Sequence, residues 1–426
     1  MDGPWRGTRS RRTRALGLLS ATVVAAPLLA ACGSGESGGN IINLYGAPEQ
    51  NFQKVVDTCN QQAGGKYQIV YNKLPRGADG QREQQVRRLA AQDSEMDIVY
   101  LDAPWLAEFA GAGWLMEWTG QNKAEVERGV LPGPLASTQY QGKTYAATKN
   151  TNVQLLWYRD DVVSKPPATW DEMIAQAKEL KAAGKPHTTV LTGAQYEGLV
   201  VHYNTLVNSL GGKIISDDGT KAVIDEGAVK ALQILKDFAT SGIASTSLTN
   251  SYEDDVRLEF EKGNAAFQLN WPFVYPAMQK GNPELAKKFK WARFPGATPG
   301  VPSRVTIGGA NWGVSKYTRK PELAFEATLC LRSPESQLFS VLNDGVPPTI
   351  DSVYDRPEML KDYPFKDTIR EELKDASVRP LTPSWQNVAS VMSTILSPPS
   401  AIDPQQTAAR LRTEVQDAID SKGVMP

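Results

Sequence analysis

The chain has 426 residues and a formal net charge of −1, so it carries no basic surplus to neutralise a phosphate backbone, which excludes nucleic acid as its main partner. Its length exceeds what one hydrophobic core usually serves and predicts two lobes. Only two histidines and three cysteines are present, without clustering, so neither a His/Cys metal centre nor a cofactor is expected.

At the N-terminus Arg6, Arg9, Arg11, Arg12 and Arg14 precede an apolar run over residues 15–30 that is too short for a stable membrane span. Residues 1–31 therefore read as a signal peptide. The run ends in Leu29-Ala30-Ala31-Cys32, a small-residue cleavage site directly before a cysteine, and this resembles bacterial lipoproteins. The resemblance implies that Cys32 is diacylated, becomes the mature N-terminus and anchors the chain to the outer face of the cell membrane. Each buried methylene contributes roughly 0.8 kcal/mol to such an anchor. Residues 32–39 then form a Gly/Ser-rich leash. They spell G-x-S-x-G at residues 35–39, but without the strand and helix that a nucleophile elbow joins. Ser10-Arg11-Arg12 is too incomplete a twin-arginine pattern to fix the export route.

Beyond the leash, Ile41–Tyr45 and Gln68–Tyr71 read as strands flanking a helix over 51–63. A second helix, 81–92, leads to a buried strand, Asp97–Leu101. Strand, helix, strand, helix, strand predicts a parallel sheet wound right-handedly. Thr169-Trp170-Asp171-Glu172 is a capping box that opens a helix stopped by Gly184. Asp217-Asp218-Gly219 predicts a turn, and Ala228–Ser241 another helix ending at Gly242. Glu253, Asp254 and Asp255 read as a solvated helix start. With Cys32 assigned to lipid, Cys59 and Cys330 remain. In an oxidising compartment they are expected to be bridged, the alternative being two buried free thiols.

From about Asn40 onward the order of segments resembles the extracytoplasmic sugar-binding proteins of ATP-driven importers, the group that includes maltose-binding proteins. The pieces are Asp97–Asp102 followed by Ala112-Gly113-Trp114-Leu115, Gln154–Asp160, Pro166–Glu172, Phe260–Ala266, Gly308–Val314 and Arg379-Pro380. Asn150–Asn152, Leu156–Arg159, Asn270–Phe273, Ile307–Trp312, Arg379-Pro380 and the surroundings of Cys59 and Cys330 are similar to actinobacterial trehalose-binding lipoproteins. The stretch from Pro272 to Gly308 is short beside some members of that group. The resemblance implies an α/β, periplasmic-binding-protein-like fold of two lobes joined by three crossings with the ligand cleft between them. Residues 40–149 and 308–362 would form one lobe, 150–307 and 363–426 the other.

A sugar presents hydroxyls at its edge and apolar C–H groups on its faces, so its site needs polar side chains and aromatic plates. Asp102, at the end of a buried strand, falls where ligands sit on a parallel sheet, and its alternative is a helix cap. Glu49 and Gln50 follow the first strand. Asn150 and Asn152 flank the first crossing, with turn residues as the bland alternative. Trp271 is the candidate plate. Gly309 and Asn311 sit at the second crossing, where a missing Cβ lets backbone approach a ligand. Trp312 stacks or fills core. Arg379, held extended before Pro380, offers a rigid fork of donors, its alternative being a salt bridge. The expected function is that of a monomeric, non-enzymatic lipoprotein that captures a disaccharide, trehalose first, and delivers it to ABC permease subunits driven by a separate ATPase. The chain has no Walker A pattern of its own. A binding protein for another oligosaccharide or polar solute, and a secreted glycosidase using paired carboxylates, are the alternatives.

Overall fold

The computed structural model describes residues 40–75 and 78–421. The signal peptide, the lipidation at Cys32 and the leash lie outside the described residues. In chain order the strands are β1 (Ile41–Gly46), β2 (Gln68–Lys73), β3 (Ile98–Asp102), β4 (Gln139–Tyr140), β5 (Lys143–Thr144), β6 (Ala146–Asn152), β7 (Leu155–Arg159), β8 (Thr188–Val190), β9 (Ala265–Asn270), β10 (Phe289–Ala292) and β11 (Gly308–Val314).

A first sheet has the order β2-β1-β3-β11-β6 and a second the order β10-β7-β9-β8, with β4 and β5 forming a separate hairpin. β1 runs parallel to both β2 and β3, as the alternation of strands and helices predicts. At its other edge the sheet is extended by β11, which returns from the second sheet, and β6, which leads into it, with β11 antiparallel to β3 and to β6. Both of these strands connect to the second sheet, so no βαβ crossover dictates their direction.

Along β3 the side-chain period of two divides the core. Ile98 packs with Phe52, Val56 and Trp312, while Val99 and Leu101 pack with Leu89, Trp105 and Phe109. In the second sheet all six residues of β9 are buried, the pattern of a strand covered on both faces. Trp157, Phe267 and Phe289 centre that core, and Leu338, Val341, Tyr354 and Phe365 from the later helices join it.

Helices form where the sequence signals stand. Phe52–Gln62 matches its expectation, and Ala78–Ala90 begins three residues before its own. Thr169 Oγ1 accepts from Glu172 N at 3.2 Å, while the Glu172 carboxylate accepts from Ala168 N, one residue short of a reciprocal capping box. Asp225 caps the helix Glu226–Thr240. The acidic triplet opens the helix Glu253–Glu261, with the Asp255 carboxylate accepting from Tyr252 N at 3.0 Å. Cys59 and Cys330 form a disulfide with a Cα separation of 5.8 Å. It ties Phe52–Gln62 to Pro321–Leu331, two helices over the same core.

Two links between the sheets lie side by side. β6 leads into β7 through residues 153–154 and β10 into β11 through 293–307, and the pairing of β6 with β11 sets Asn152 opposite Gly308. The strand ends and the loops around this paired ribbon carry most of the candidate site.

Candidate functional site

Asp102 closes β3 without a side-chain cap on the short turn Ala103–Trp105, although the Ala103 amide donates to its carboxylate. It lines a cavity of about 780 Å³ together with Glu49, Gln50, Asn150, Asn152 and Gly309. Six residues chosen from sequence therefore share one wall. Tyr100, Lys280, Asp344, Lys361 and Tyr363 are among the other lining residues, and nothing local in the sequence marks them.

Burial pushes the Asp102 carboxyl up to about 6, with Arg379 pulling it down and Glu197 pushing it up. Glu197 lines a second cavity of about 570 Å³, with Gln195, Tyr196, Gln386, Ser390 and Thr394. Asp102 and Glu197 thus belong to two neighbouring compartments and act electrostatically on one another, with Arg379 in reach of both. The Arg379 side chain is 9% exposed, and its Nε lies 3.0 Å from Glu197 Oε1. That contact is off-axis, and neither Nε nor Nη1 has a hydrogen-bond partner. Glu197 Oε1 also accepts from Trp385 Nε1 at 3.0 Å. Sequence reading missed Glu197 and Trp385. The only local signal was an acid in the first turn of the helix Glu197–Ser209, which reads as ordinary helix-dipole pairing.

Glu49 is held by a second residue that sequence reading missed. Lys149 Nζ lies 2.7 Å from Glu49 Oε1, with the lysine side chain 4% exposed. The loop carrying Glu49 is braced by Tyr71, whose hydroxyl donates to Ala47 O and accepts from Glu49 N at 3.4 Å. Burial raises the Tyr71 phenol to about 12. Gly309 needs to be glycine on two counts. Its φ is +103°, and a Cβ would stand 2.4 Å from Asn150 O.

Three predicted residues lie elsewhere. Trp271 follows β9, its amide donating to Asn270 Oδ1 at 2.9 Å. Its half-buried ring stands against Gly308 and the Asn152 side, where a Cβ on Gly308 would be 3.3 Å away. It is beside the cavity rather than on its wall. Arg379 joins through the electrostatics just described. Asn311 is corrected: it is buried, and its Nδ2 donates to Ser137 O at 3.1 Å and Ser137 Oγ at 3.2 Å. The β6/β11 ladder slips between Ala310 and Asn311, and such an irregularity re-aims side chains. Trp312 fills core, its ring 5.3 Å from Phe52 and 6.0 Å from Tyr100.

A polar cavity between two α/β sheets, walled by strand ends and by the paired links, is built to hold a solute. The sequence profile of the bacterial extracellular solute-binding proteins matches residues 46–338. The chain belongs to that family. This solute-binding protein is 27% identical over 342 residues to a probable ABC transporter-binding protein of Deinococcus radiodurans, covering 78% of this chain and 80% of the relative. Maltose-bound MalE3 of T. maritima shares 26% identity, with a TM-score of 0.74 over 88% of this chain and 99% of that one. The sugar-binding protein MalE of Xanthomonas citri superposes with a TM-score of 0.79 at 17% identity, over 90% of this chain and 98% of that one. These likenesses fix a periplasmic-binding-protein-like fold, and the family is one of extracellular solute-binding proteins. Among the described residues no helix of this solute-binding protein is long and apolar enough to cross a membrane.

Proposed function

We propose that this solute-binding protein captures a disaccharide, trehalose first, and hands it to permease subunits powered by a separate ATPase. The observation that carries the reading is the polar cavity on which Glu49, Asp102, Asn150, Asn152 and Gly309 converge, with the charge of Arg379 acting on Asp102. Burial raises the Asp102 carboxyl to about 6 while the charge of Arg379, itself ion-paired through Nε with Glu197 Oε1 at 3.0 Å, pulls it back down. Hydroxyls, which donate and accept at once, suit carboxylate and amide groups together in one ligand. Trp271, beside Asn152 and Gly308, adds an apolar plate for a sugar face. Sugar-bound relatives, maltose-bound MalE3 among them, support the same ligand class.

The division into lobes 40–149 with 308–362 and 150–307 with 363–426 is part of this proposal. Within 308–362 the stretch 338–359 is the shared segment, since Leu338, Val341, Ile350, Val353, Tyr354 and Met359 join the second core. Ligand touching both lobes favours the closed arrangement by its differential affinity for it. Tethering through lipidated Cys32 keeps the domain near its permease at high local concentration.

Calorimetry against a panel containing trehalose, maltose and longer glucosides is the test. Saturable binding of trehalose ahead of the others is expected. Binding of another member alone replaces the ligand, and sustained release of glucose from trehalose removes the transport reading in favour of a glycosidase. Mass spectrometry of the mature N-terminus should find acyl chains on Cys32.

A further inference from the structure

Lys149 is a buried cation on a wall suited to hydroxyls, and the reading above gives it no task. Its ammonium lies 5.4 Å from the centroid of the Phe52 ring and 5.8 Å from that of Trp312, so its stem runs through the aromatic core beneath the cavity. An ammonium has three N–H donors and no acceptor. Three acceptors meet it: Glu49 Oε1 at 2.7 Å, Glu49 Oε2 at 2.9 Å and Asn150 Oδ1 at 3.1 Å. Its donor capacity is filled before any ligand arrives.

Two consequences follow for the wall. Because Lys149 can only donate, the oxygen of the Asn150 amide must face it, which turns the NH₂ group away. One of those hydrogens points to Thr151 O at 3.3 Å, leaving the other to the cavity that Asn150 lines. Glu49, paired with the ammonium, can only accept. Both residues touch one nitrogen atom, so they are close neighbours on the wall.

We propose that Lys149 is a positioning residue that fixes the hydrogen-bond polarity of this corner, with Asn150 as donor and Glu49 as acceptor. The corner thereby selects uncharged polyols bearing a hydroxyl, or an adjacent pair, that accepts from Asn150 and donates to Glu49. Ethers cannot donate there, and carboxylates or phosphates meet the Glu49 charge. This specificity rests on the sugar-binding reading, whereas the positioning role does not.

The test joins crystal structures of Lys149→Met and Lys149→Arg with calorimetry against trehalose and maltose. Methionine keeps an apolar stem against Phe52 and Trp312 but offers no donor. In Lys149→Met the Glu49 carboxylate is expected to leave its present position and the Asn150 amide to turn, with sugar affinity falling roughly tenfold or more. That loss should largely vanish in a Glu49→Gln background, because the two residues act as one unit. Lys149→Arg keeps the charge with a different fork and should shift Glu49 and weaken binding by a few-fold. It carries the test if the methionine variant does not fold. Unmoved Glu49 and Asn150 in the variant structures, or the same loss of affinity with and without Glu49→Gln, would overturn the proposal. If neither sugar binds the unaltered protein, the functional reading falls, while the variant structures still decide what Lys149 does.

Discussion

The wall built by the first sheet and the one built by the second core hold similar chemistry in opposite states. On the first, Lys149, Glu49 and Asn150 satisfy one another without a ligand. On the second, Arg379 Nε stands in an ion pair 3.0 Å from Glu197 Oε1, its Nη1 has no hydrogen-bond partner, and Glu197 also accepts from Trp385 Nε1. An unmade bond at a buried group costs roughly 1–3 kcal/mol, more if it is charged. The first side therefore meets a ligand with its groups already paired, and the second with a buried donor, Arg379 Nη1, still open.

Removing the Arg379 fork is the sharpest way to break this contrast. Arg379→Met is expected to weaken sugar binding by about 100-fold while leaving the melting temperature of ligand-free protein unchanged or slightly raised. Unaltered affinity by calorimetry would erase the difference between the walls. Asp102→Asn, nearly isosteric, should weaken binding roughly tenfold and abolish a pH dependence present in the parent. The sign follows from the raised carboxyl, about 6 in the fold against roughly 4 unfolded. Between those values the folded state holds more protons, so this group's contribution to stability falls as pH rises through the window. Ligand hydroxyls favour the carboxylate, so affinity should rise as pH climbs through about 6, with release of a proton detectable in buffers of different ionisation enthalpy. A flat profile would detach Asp102 from the ligand.

Trp271→Ala should cost several-fold in affinity, consistent with about 0.5–1.5 kcal/mol for a stacking plate, with little change in apo melting. The smallest effect on affinity is expected from the double variant Cys59→Ser, Cys330→Ser. Neither cysteine lines the cavity, so binding should hold while unfolding stability falls by about 2–4 kcal/mol. A parallel loss of affinity would mean that the first wall depends on that tie for its shape.

Much of this architecture was legible. β1, β2 and β3 announce themselves by apolar runs between amphipathic helices, and Asp102, Glu49, Asn150 and Gly309, chosen for their places at strand ends and crossings, line one cavity. Asn311 was assigned to the cavity from its place at the crossing, whereas its amide is held by Ser137, a partner 174 residues away that no local pattern marks. Lys149 and Trp385 were invisible for the same reason. Their meaning lies in contacts with Glu49 and Glu197, separated by 100 and 188 residues. No local periodicity encodes a partner that far along the chain.

The place of β11 between β3 and β6 also governs how the molecule is assembled in time. A polypeptide delivered N-terminus first has released β1, β2, β3 and β6, and every strand of the second sheet, before residues 308–314 emerge. Until then β3 and β6 present unpaired edges, the kind of surface that invites pairing with another chain. The bond between Cys59 and Cys330 must wait longer still. Such late, long-range closure is slow relative to local helix formation, so the half-emerged chain depends on being kept apart from its neighbours. The sheet whose first strand leads the sequence is completed only after the other sheet has been delivered in full.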